Sequence, residues 1–317
     1  MKLEKRKIVI IGCGHVGVST AFCLINQGLC DEIALIDLNE KKVLGEVLDL
    51  SQSIEYMNRN THVKVGRYED CEDAQIVIIT ASVPTPQSGN DRLKMLEPSL
   101  NVMKSIITQI KEHHFDGHLI VVSNPVDLMS YYAYKLSGLP ANQVIGTGTT
   151  LDTARLKYFI AQKIQVDPRS VHAMVIGEHG DSEMIPWSTV RIGGKDIYSV
   201  VQDNQSRLGQ EPYQQMKKDT IQAGWEIFNR KGNTCYGIAS STVGIIRTIL
   251  HNENQILPVS TLLRGEYGQD DLFISVPAII DRSGVREIVE LRMTPQEQEE
   301  FNQSCQRLKS FYDLLNQ

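Results

Sequence analysis

A run of apolar, mostly β-branched residues, Ile8 to Ile11, passes directly into Gly12-Cys13-Gly14-His15-Val16-Gly17, and a helical pattern follows at once. That junction admits few folds. An apolar run without polar alternation is expected of a strand covered on both faces, as in a parallel sheet flanked by helices. The glycine spacing predicts a strand-turn-helix unit. Gly12 allows the tight turn, Gly14 lets a pyrophosphate reach backbone N–H groups at the helix start, and Gly17 permits close packing of helix on strand. The helix is expected to place Val18, Ala21, Phe22 and Ile25 on one face and to close at Gly28. A second run, Ile33 to Ile36, ends at Asp37, twenty residues beyond Gly17. A carboxylate there accepts hydrogen bonds from a ribose diol and repels a 2′-phosphate, so the context reads as a dinucleotide site that favours NAD over NADP.

Further strands are expected at Ile76 to Thr80 and Leu119 to Ser123, alternating with helices such as Leu93 to Lys111. Alternating β and α implies a doubly wound parallel sheet of the Rossmann type, with ligands beyond the carboxyl ends of its strands. Three such ends carry chemistry. Thr80-Ala81-Ser82 opens a polar loop, Val83 to Asp91, that reads as a lid before Arg92. Ser123-Asn124-Pro125 offers Asn124 as a donor to a carbonyl or carboxamide, with a cis bond at Pro125 left open. Gly146-Thr147-Gly148 leads into a helix, Leu151 to Ile164, in which Asp152 and Arg155 are three apart and share a face.

Alone, that pair is an ordinary surface ion pair. The stretch Gly177-Glu178-His179-Gly180-Asp181 changes its meaning, because it follows the apolar run Val171 to Ile176 and should present His179 at a strand end between two glycines. A His, an Asp and an Arg at element ends supply a proton donor, its orienter and a carboxylate clamp. Beyond, the pattern predicts a hairpin of Trp187 to Ile192 and Ile197 to Val201 around Gly193-Gly194, helices at Tyr213 to Phe228 and Tyr236 to Leu250, and strands at Ile256 to Leu263 and Leu272 to Ile280. Thr294-Pro295-Gln296-Glu297 is a capping box opening a last helix that buries Phe301, Cys305, Leu308, Tyr312 and Leu315. The division expected is an NAD-binding domain over residues 1–147 and a mixed α+β catalytic domain over 148–317, with the helix near 236–250 free to pack back on the first.

Composition narrows the function classes. The net charge of -6, with no basic run, argues against a nucleic-acid or anionic-membrane surface. No apolar run approaches the roughly 20 residues of a membrane span, and the N-terminus shows no signal-type cleavage region, so a cytoplasmic protein is expected. The six cysteines lie far apart without a C-x-x-C pair, as expected of reduced thiols. His113, His114 and His118 surround a helix end and turn rather than a metal centre, and no metal is expected. Tyr131 and Lys135 match a Y-x-x-x-K pair used by another reductase superfamily, but that superfamily's glycine fingerprint differs, and a tyrosine-rich packing face is the better reading.

Taken in order, G12-C-G-H-V-G17, D37, I79-T-A81, N124-P-V-D127, G146-T-G-T-T-L-D-T-A-R155, G177-E-H-G-D181 and K231-G-N-T234 resemble the L-lactate and malate dehydrogenase family over essentially the whole chain. The Glu before His179 and the Asp after its glycine resemble bacterial lactate dehydrogenases more than malate dehydrogenases. The G-T-G-T stretch and P277-A-I-I280 are also similar to L-2-hydroxyisocaproate dehydrogenases. The resemblance implies NAD as cofactor and a small 2-keto or 2-hydroxy acid as substrate. It implies His179 as acid/base, Asp152 as its orienter, Arg92 polarising the carbonyl, Arg155 gripping the carboxylate, Asn124 on the substrate oxygen and Thr234 lining the pocket. Val16, Lys42, Tyr68, Ser82, Val83, Ser123 and Thr147 match dinucleotide-contacting positions, and a homo-oligomer, a tetramer, is implied.

Two departures bear on specificity and regulation. The lid is one residue longer than in typical bacterial lactate enzymes, so their specificity glutamine corresponds to Thr85, Pro86 or Gln87, of which Gln87 keeps the residue type. No arginine lies between Ser82 and Asp91 to meet a second carboxylate, which argues against malate. The fructose-bisphosphate site of activated bacterial enzymes uses an arginine and a histidine, and the matching residues here are Lys157 and His172. A point charge in place of a fork predicts weak or absent activation. Three readings compete with an L-lactate dehydrogenase: a longer-chain 2-hydroxyacid dehydrogenase, an NAD-dependent glycosidase, which would need a metal and a cysteine near Asn124, and a non-catalytic NAD sensor.

Overall fold

The strand before the glycine turn is an interior strand of a nine-stranded sheet in the computed structural model, which describes residues 5–83 and 92–312. In chain order the first half comprises β1 (Lys7–Ile11), α1 (His15–Gln27), β2 (Glu32–Ile36), α2 (Glu40–Ser53), β3 (His62–Val65), β4 (Ile76–Ile79), α3 (Arg92–Glu112), β5 (His118–Val121), α4 (Val126–Ser137) and β6 (Val144–Gly146). The six strands are parallel in the order β3-β2-β1-β4-β5-β6, reversing direction of travel at β1 and β4. A crevice opens at such a reversal beyond the carboxyl ends of the strands. Every residue of β1 is buried, as the unbroken apolar run required.

The second half contributes α5 (Thr150–Ile164), β7 (Val171–His172), β8 (Arg191–Ile192), β9 (Lys195–Asp196), α6 (Ile197–Asp203), α7 (Gln205–Leu208), α8 (Pro212–Lys231), α9 (Tyr236–His251), β10 (Gln255–Arg264), β11 (Asp270–Asp281), β12 (Gly284–Ile288) and α10 (Pro295–Lys309). It does not form a separate sheet core. The β10-β11-β12 meander adds to β6 through Ser260 opposite Gly146, so the halves share one sheet, and α9 lies against α1. β7, β8 and β9 form a second, small sheet. It packs with α5 through a cluster including Leu156, Ile160, Val171, Val190 and Ile192.

Several local expectations are corrected. Phe22 is 45% exposed while Leu24 is fully buried, so the inner face of α1 runs through Gly17, Ala21, Leu24 and Ile25. The strand expected up to Ile176 ends at His172. The hairpin around Gly193-Gly194 is only two residues a side; Trp187–Thr189 is a 3₁₀ turn and Ile197–Asp203 a helix capped by Asp196. Val190, Ile197 and Val200 from the runs flanking those glycines fill the core under α5 without joining the ladder. The last helix begins with the anticipated capping box and buries Phe301, Cys305 and Leu308; Tyr312 is half-buried, and Leu315 lies outside the described residues. Tyr131 donates to Asp271 and stacks on Tyr312, a packing role for that tyrosine face. All six cysteines are free. Among the described residues no helix is long and apolar enough to cross a membrane.

The capping glutamate also pins a second segment. Its carboxylate accepts from the backbone N–H of Ser188 at 2.9 Å, the Ser188 hydroxyl at 2.6 Å and Thr294 N–H at 2.8 Å, and these bonds hold its carboxyl below the usual range although burial opposes them. Glu297→Ala strands those donors, and chemical denaturation should show a loss of about 2 kcal/mol. NADH affinity should stay unchanged, because the donors that Glu297 holds, Ser188 and Thr294, are not part of the glycine turn.

Candidate active site

Asp152 occupies the first turn of α5 with its side chain only 3% exposed. One carboxylate oxygen accepts from Arg155 Nη1 at 2.8 Å, and the other faces His179 Nδ1 at 2.6 Å. The three-residue spacing on α5 puts Arg155 and Asp152 side by side, as one helical face requires. Since a carboxylate only accepts, Nδ1 carries a hydrogen, and the transferable proton is the one on Nε2.

His179 reaches this position through a loop rather than a strand end. Ile176 and Met184 exchange backbone hydrogen bonds of 2.9 Å, and Gly177 bridges Ser275 of β11, so residues 177–183 form a closed excursion anchored on the large sheet. Gly177 has φ +95, and a Cβ there would approach Ser304 Oγ to 2.7 Å, so both conformation and space require glycine. The Glu178 backbone N–H donates to the Ser304 hydroxyl oxygen of α10 at 2.8 Å. Arg307 pairs with Glu178 and Asp181. The His179 N–H donates to Asp127 of α4 at 2.8 Å. In sequence Asp127 stands out only as part of the N124-P-V-D127 motif, and no local spacing reveals Ser304.

Electrostatics follow from this packing. Burial opposes charge on His179, but the Asp152 carboxylate outweighs it and raises the imidazole to about 9. Burial likewise opposes Asp152 ionisation, yet His179 and then Arg155 hold its carboxyl below the ordinary value. Asp127, fully enclosed, is pushed up to about 6 by burial. Arg155 has a buried Nε with no hydrogen-bond partner among the described residues. Gly224 of α8 faces the guanidinium, a Cβ there meeting Nη2 at 3.3 Å, so the space beside Arg155 depends on that glycine, which sequence reading also missed. A buried cation with a spare donor suits a bound carboxylate.

The remaining candidates stand at or just beyond the carboxyl ends of the parallel strands. Gly12 has φ +104 and a Cβ would collide with Ala81, while one on Gly17 would overlap the Gly12 carbonyl. Gly14 differs: it is the N-cap of α1, no side chain caps the helix, and a Cβ there meets nothing within 4 Å. An uncapped helix start with open space before it fits a pyrophosphate. Asp37 directly follows β2 and accepts from Cys13 N–H at 2.7 Å and Asn39 N–H at 3.0 Å. A carboxylate has further acceptor capacity, so a ribose diol still fits. Val16 is half-buried in the first turn of α1, Lys42 exposed in that of α2, and Tyr68 half-buried in a short 3₁₀ turn after β3. Ser82 and Val83 follow β4; Ser123 follows β5 and donates to Ala81 O at 2.5 Å; Thr147 follows β6 and is buried.

Asn124 is exposed just beyond the end of β5, and its bond to Pro125 is cis. Thr234 is half-buried between α8 and α9. Arg92 is the first residue of α3. Thr85, Pro86 and Gln87 lie outside the described residues. Lys157 is half-buried on α5, where burial lowers its ammonium below the usual value, and His172 is exposed on β7, the strand packed beside it.

Fold and site together define a doubly wound, dinucleotide-dependent oxidoreductase. Two family models account for nearly the whole chain: the lactate/malate dehydrogenase NAD binding domain over residues 6–146 and the lactate/malate dehydrogenase alpha/beta C-terminal domain over 149–315. The chain belongs to the lactate/malate dehydrogenase family, and NAD is its cofactor. It is 46% identical over 315 residues to L-lactate dehydrogenase 3 of Bacillus anthracis, covering 99% of each chain. It is equally identical to an L-lactate dehydrogenase of Lactococcus lactis subsp. cremoris strain MG1363, covering 99% of this chain and 100% of that one. The ligands-bound crystal structure of the minor L-lactate dehydrogenase from Enterococcus mundtii superposes with a TM-score of 0.94 at 45% identity, covering 98% of this chain and 99% of that one.

The glycines separate stability from cofactor binding. Gly12→Ala should lower the melting temperature markedly, through backbone strain and collision. Gly14→Ala should leave melting nearly unchanged yet weaken NADH binding about tenfold or more, measured by fluorescence titration, because its methyl group occupies the ligand's approach.

Proposed function

We propose that the chain is an NAD-dependent L-lactate dehydrogenase, interconverting pyruvate and L-lactate with His179 as acid/base. The observation that carries the reading is the convergence of His179, Asp152 and Arg155 on one buried carboxylate fork beside the end of the parallel sheet. When bound, NADH supplies the hydride for the keto carbon. The chain's own part is to hold pyruvate and provide a proton. Arg155 takes the substrate carboxylate in a two-point fork, Asn124 and Arg92 serve the carbonyl oxygen, and Thr234 lines the pocket. His179, protonated and oriented by Asp152, gives its Nε2 proton to the developing alkoxide.

Residues 1–147 serve the dinucleotide through Gly12, Gly14, Val16, Gly17, Asp37, Lys42, Tyr68, Ser82, Val83, Ser123, Asn124 and Thr147, and residues 148–317 supply most of the substrate site. The names of the full-length relatives favour lactate over the 2-hydroxyisocaproate alternative. The same kinship supports a cytoplasmic homo-oligomer, a tetramer, acting on a small 2-keto or 2-hydroxy acid without nucleic-acid or membrane partners. Gln87 is the residue proposed to meet the substrate's methyl end. Lys157 and His172 are proposed as a weakened effector site, so fructose bisphosphate should change the pyruvate saturation curve little.

Kinetics test these roles. kcat/KM should rank pyruvate above 2-ketoisocaproate and oxaloacetate; a preference for oxaloacetate would contradict the assignment. Arg155→Lys should lose about 3 kcal/mol of transition-state binding, roughly a hundredfold in kcat/KM. His179→Gln should bind NADH normally and lose turnover by roughly a thousandfold. Reduction needs the imidazolium, so kcat/KM for pyruvate should fall as pH rises through about 9, while lactate oxidation, which needs the neutral ring, should rise over the same interval.

A further inference from the structure

Glu183 ends the loop that carries His179 and is 3% exposed. Its backbone N–H donates to Gly180 O at 3.3 Å, and its neighbour Met184 closes the loop on Ile176. A carboxyl oxygen of Glu183, a carboxylate oxygen of Asp152 and a ring nitrogen of His179 all lie within 4.8 Å of one another. A second carboxyl group thus sits against the very acid that orients the ring. We propose that Glu183 is a positioning residue for proton transfer, a neutral acid that donates a hydrogen bond to Asp152 and so weakens the hold of Asp152 on the proton of His179. This rests on the reading of His179 as the proton donor.

Charge complementarity supports the neutral form. Arg155 and protonated His179 against ionised Asp152 leave one net positive charge for a monoanionic substrate. An ionised Glu183 would cancel that charge before the substrate arrived, and two adjacent buried carboxylates resist simultaneous ionisation. Burial first, and then the negative charge of Asp152, push the Glu183 carboxyl well above its ordinary range. Among the described residues, the other charged groups around the cluster include Arg155 on α5, Asp127 on α4, which accepts from His179 N–H, and Glu178 on the same loop, paired with Arg307 of α10. Arg155 and His179 each donate to one carboxylate oxygen of Asp152, and each oxygen has room for a further hydrogen bond.

The proposal makes opposite demands on two substitutions. Glu183→Gln keeps a neutral donor, so the alkaline limb of the pH profile of kcat/KM for pyruvate should stay within a few tenths of a pH unit of the original. Glu183→Leu removes the donor at similar volume, leaves Asp152 more basic and should move that limb upward by roughly one pH unit, with kcat reduced about tenfold. Limbs that move downward in both variants mean that Glu183 is ionised, and a limb unmoved in Glu183→Leu means that it only fills space; either overturns the proposal. If the leucine variant does not fold, infrared spectroscopy of the unsubstituted enzyme at neutral pH decides. A protonated-carboxyl stretch that vanishes in Glu183→Gln supports the neutral acid, and its absence overturns it. His179→Gln retaining turnover would instead defeat the underlying assignment of the proton donor, a result distinct from any of these.

Discussion

The arrangement depends on a single carboxylate shared between two cations. Asp152, itself almost wholly shielded from water, gives one oxygen to Arg155 and the other to His179, both at hydrogen-bond distance. Removing either partner from a buried pair leaves a charge that solvent cannot compensate, a penalty of several kcal/mol. The geometry is therefore over-determined: Arg155 cannot swing away without exposing Asp152 to an unmatched charge, and His179 cannot rotate without losing the acceptor that fixes its tautomer. Orientation of a catalytic ring by a buried acid follows the logic of hydrolase triads, with reduction rather than acyl transfer as the chemistry served.

Such a fork demands exact delivery of three groups from two elements, and the sheet supplies it. The parallel strands end together at the crevice, and α5 begins four residues after β6, so Asp152 enters from the sheet itself. His179 arrives on a loop sewn to β11 through Gly177 and Ser275. Because β10 and β11 continue the sheet beyond β6, the proton donor and the dinucleotide turn are referenced to one rigid framework. A hinge between two independent cores would have left their separation free.

How much of this was legible in the sequence follows from range. β1, its glycine turn and Asp37 were readable because each signal is local: apolar strand, turn chemistry, acid. The Asp152–Arg155 face was readable from helical spacing alone. The extent of the strand before His179 was not, since an apolar run describes burial without saying whether its backbone joins a ladder. Val175 and Ile176 are fully buried, yet the ladder stops at His172. Likewise Ile197 to Val201 reads as a strand by composition, while Asp196 caps it into a helix by accepting from Ser199 N–H. The hairpin β12, with mostly half-exposed residues, lacked the apolar alternation that would have announced it.

The least legible residues are those that act on the loop from a distance. Ser304 and Arg307 come from a helix more than a hundred positions downstream, and Asp127 from one about fifty upstream, yet all three fasten residues 177–181. Their types are ordinary for a helix, and only the fold gives them a purpose. This division has a physical reason. Groups that touch a reacting molecule are constrained in chemistry, so their identity and spacing carry a signature. Groups that hold them are constrained in position, and many side chains can supply one hydrogen bond at a given point. Glu183 lies between these cases: it belongs to the same short loop as the proton donor, yet its value depends on an enclosed environment that makes a carboxyl group behave as a donor, a property that burial confers and sequence spacing does not encode.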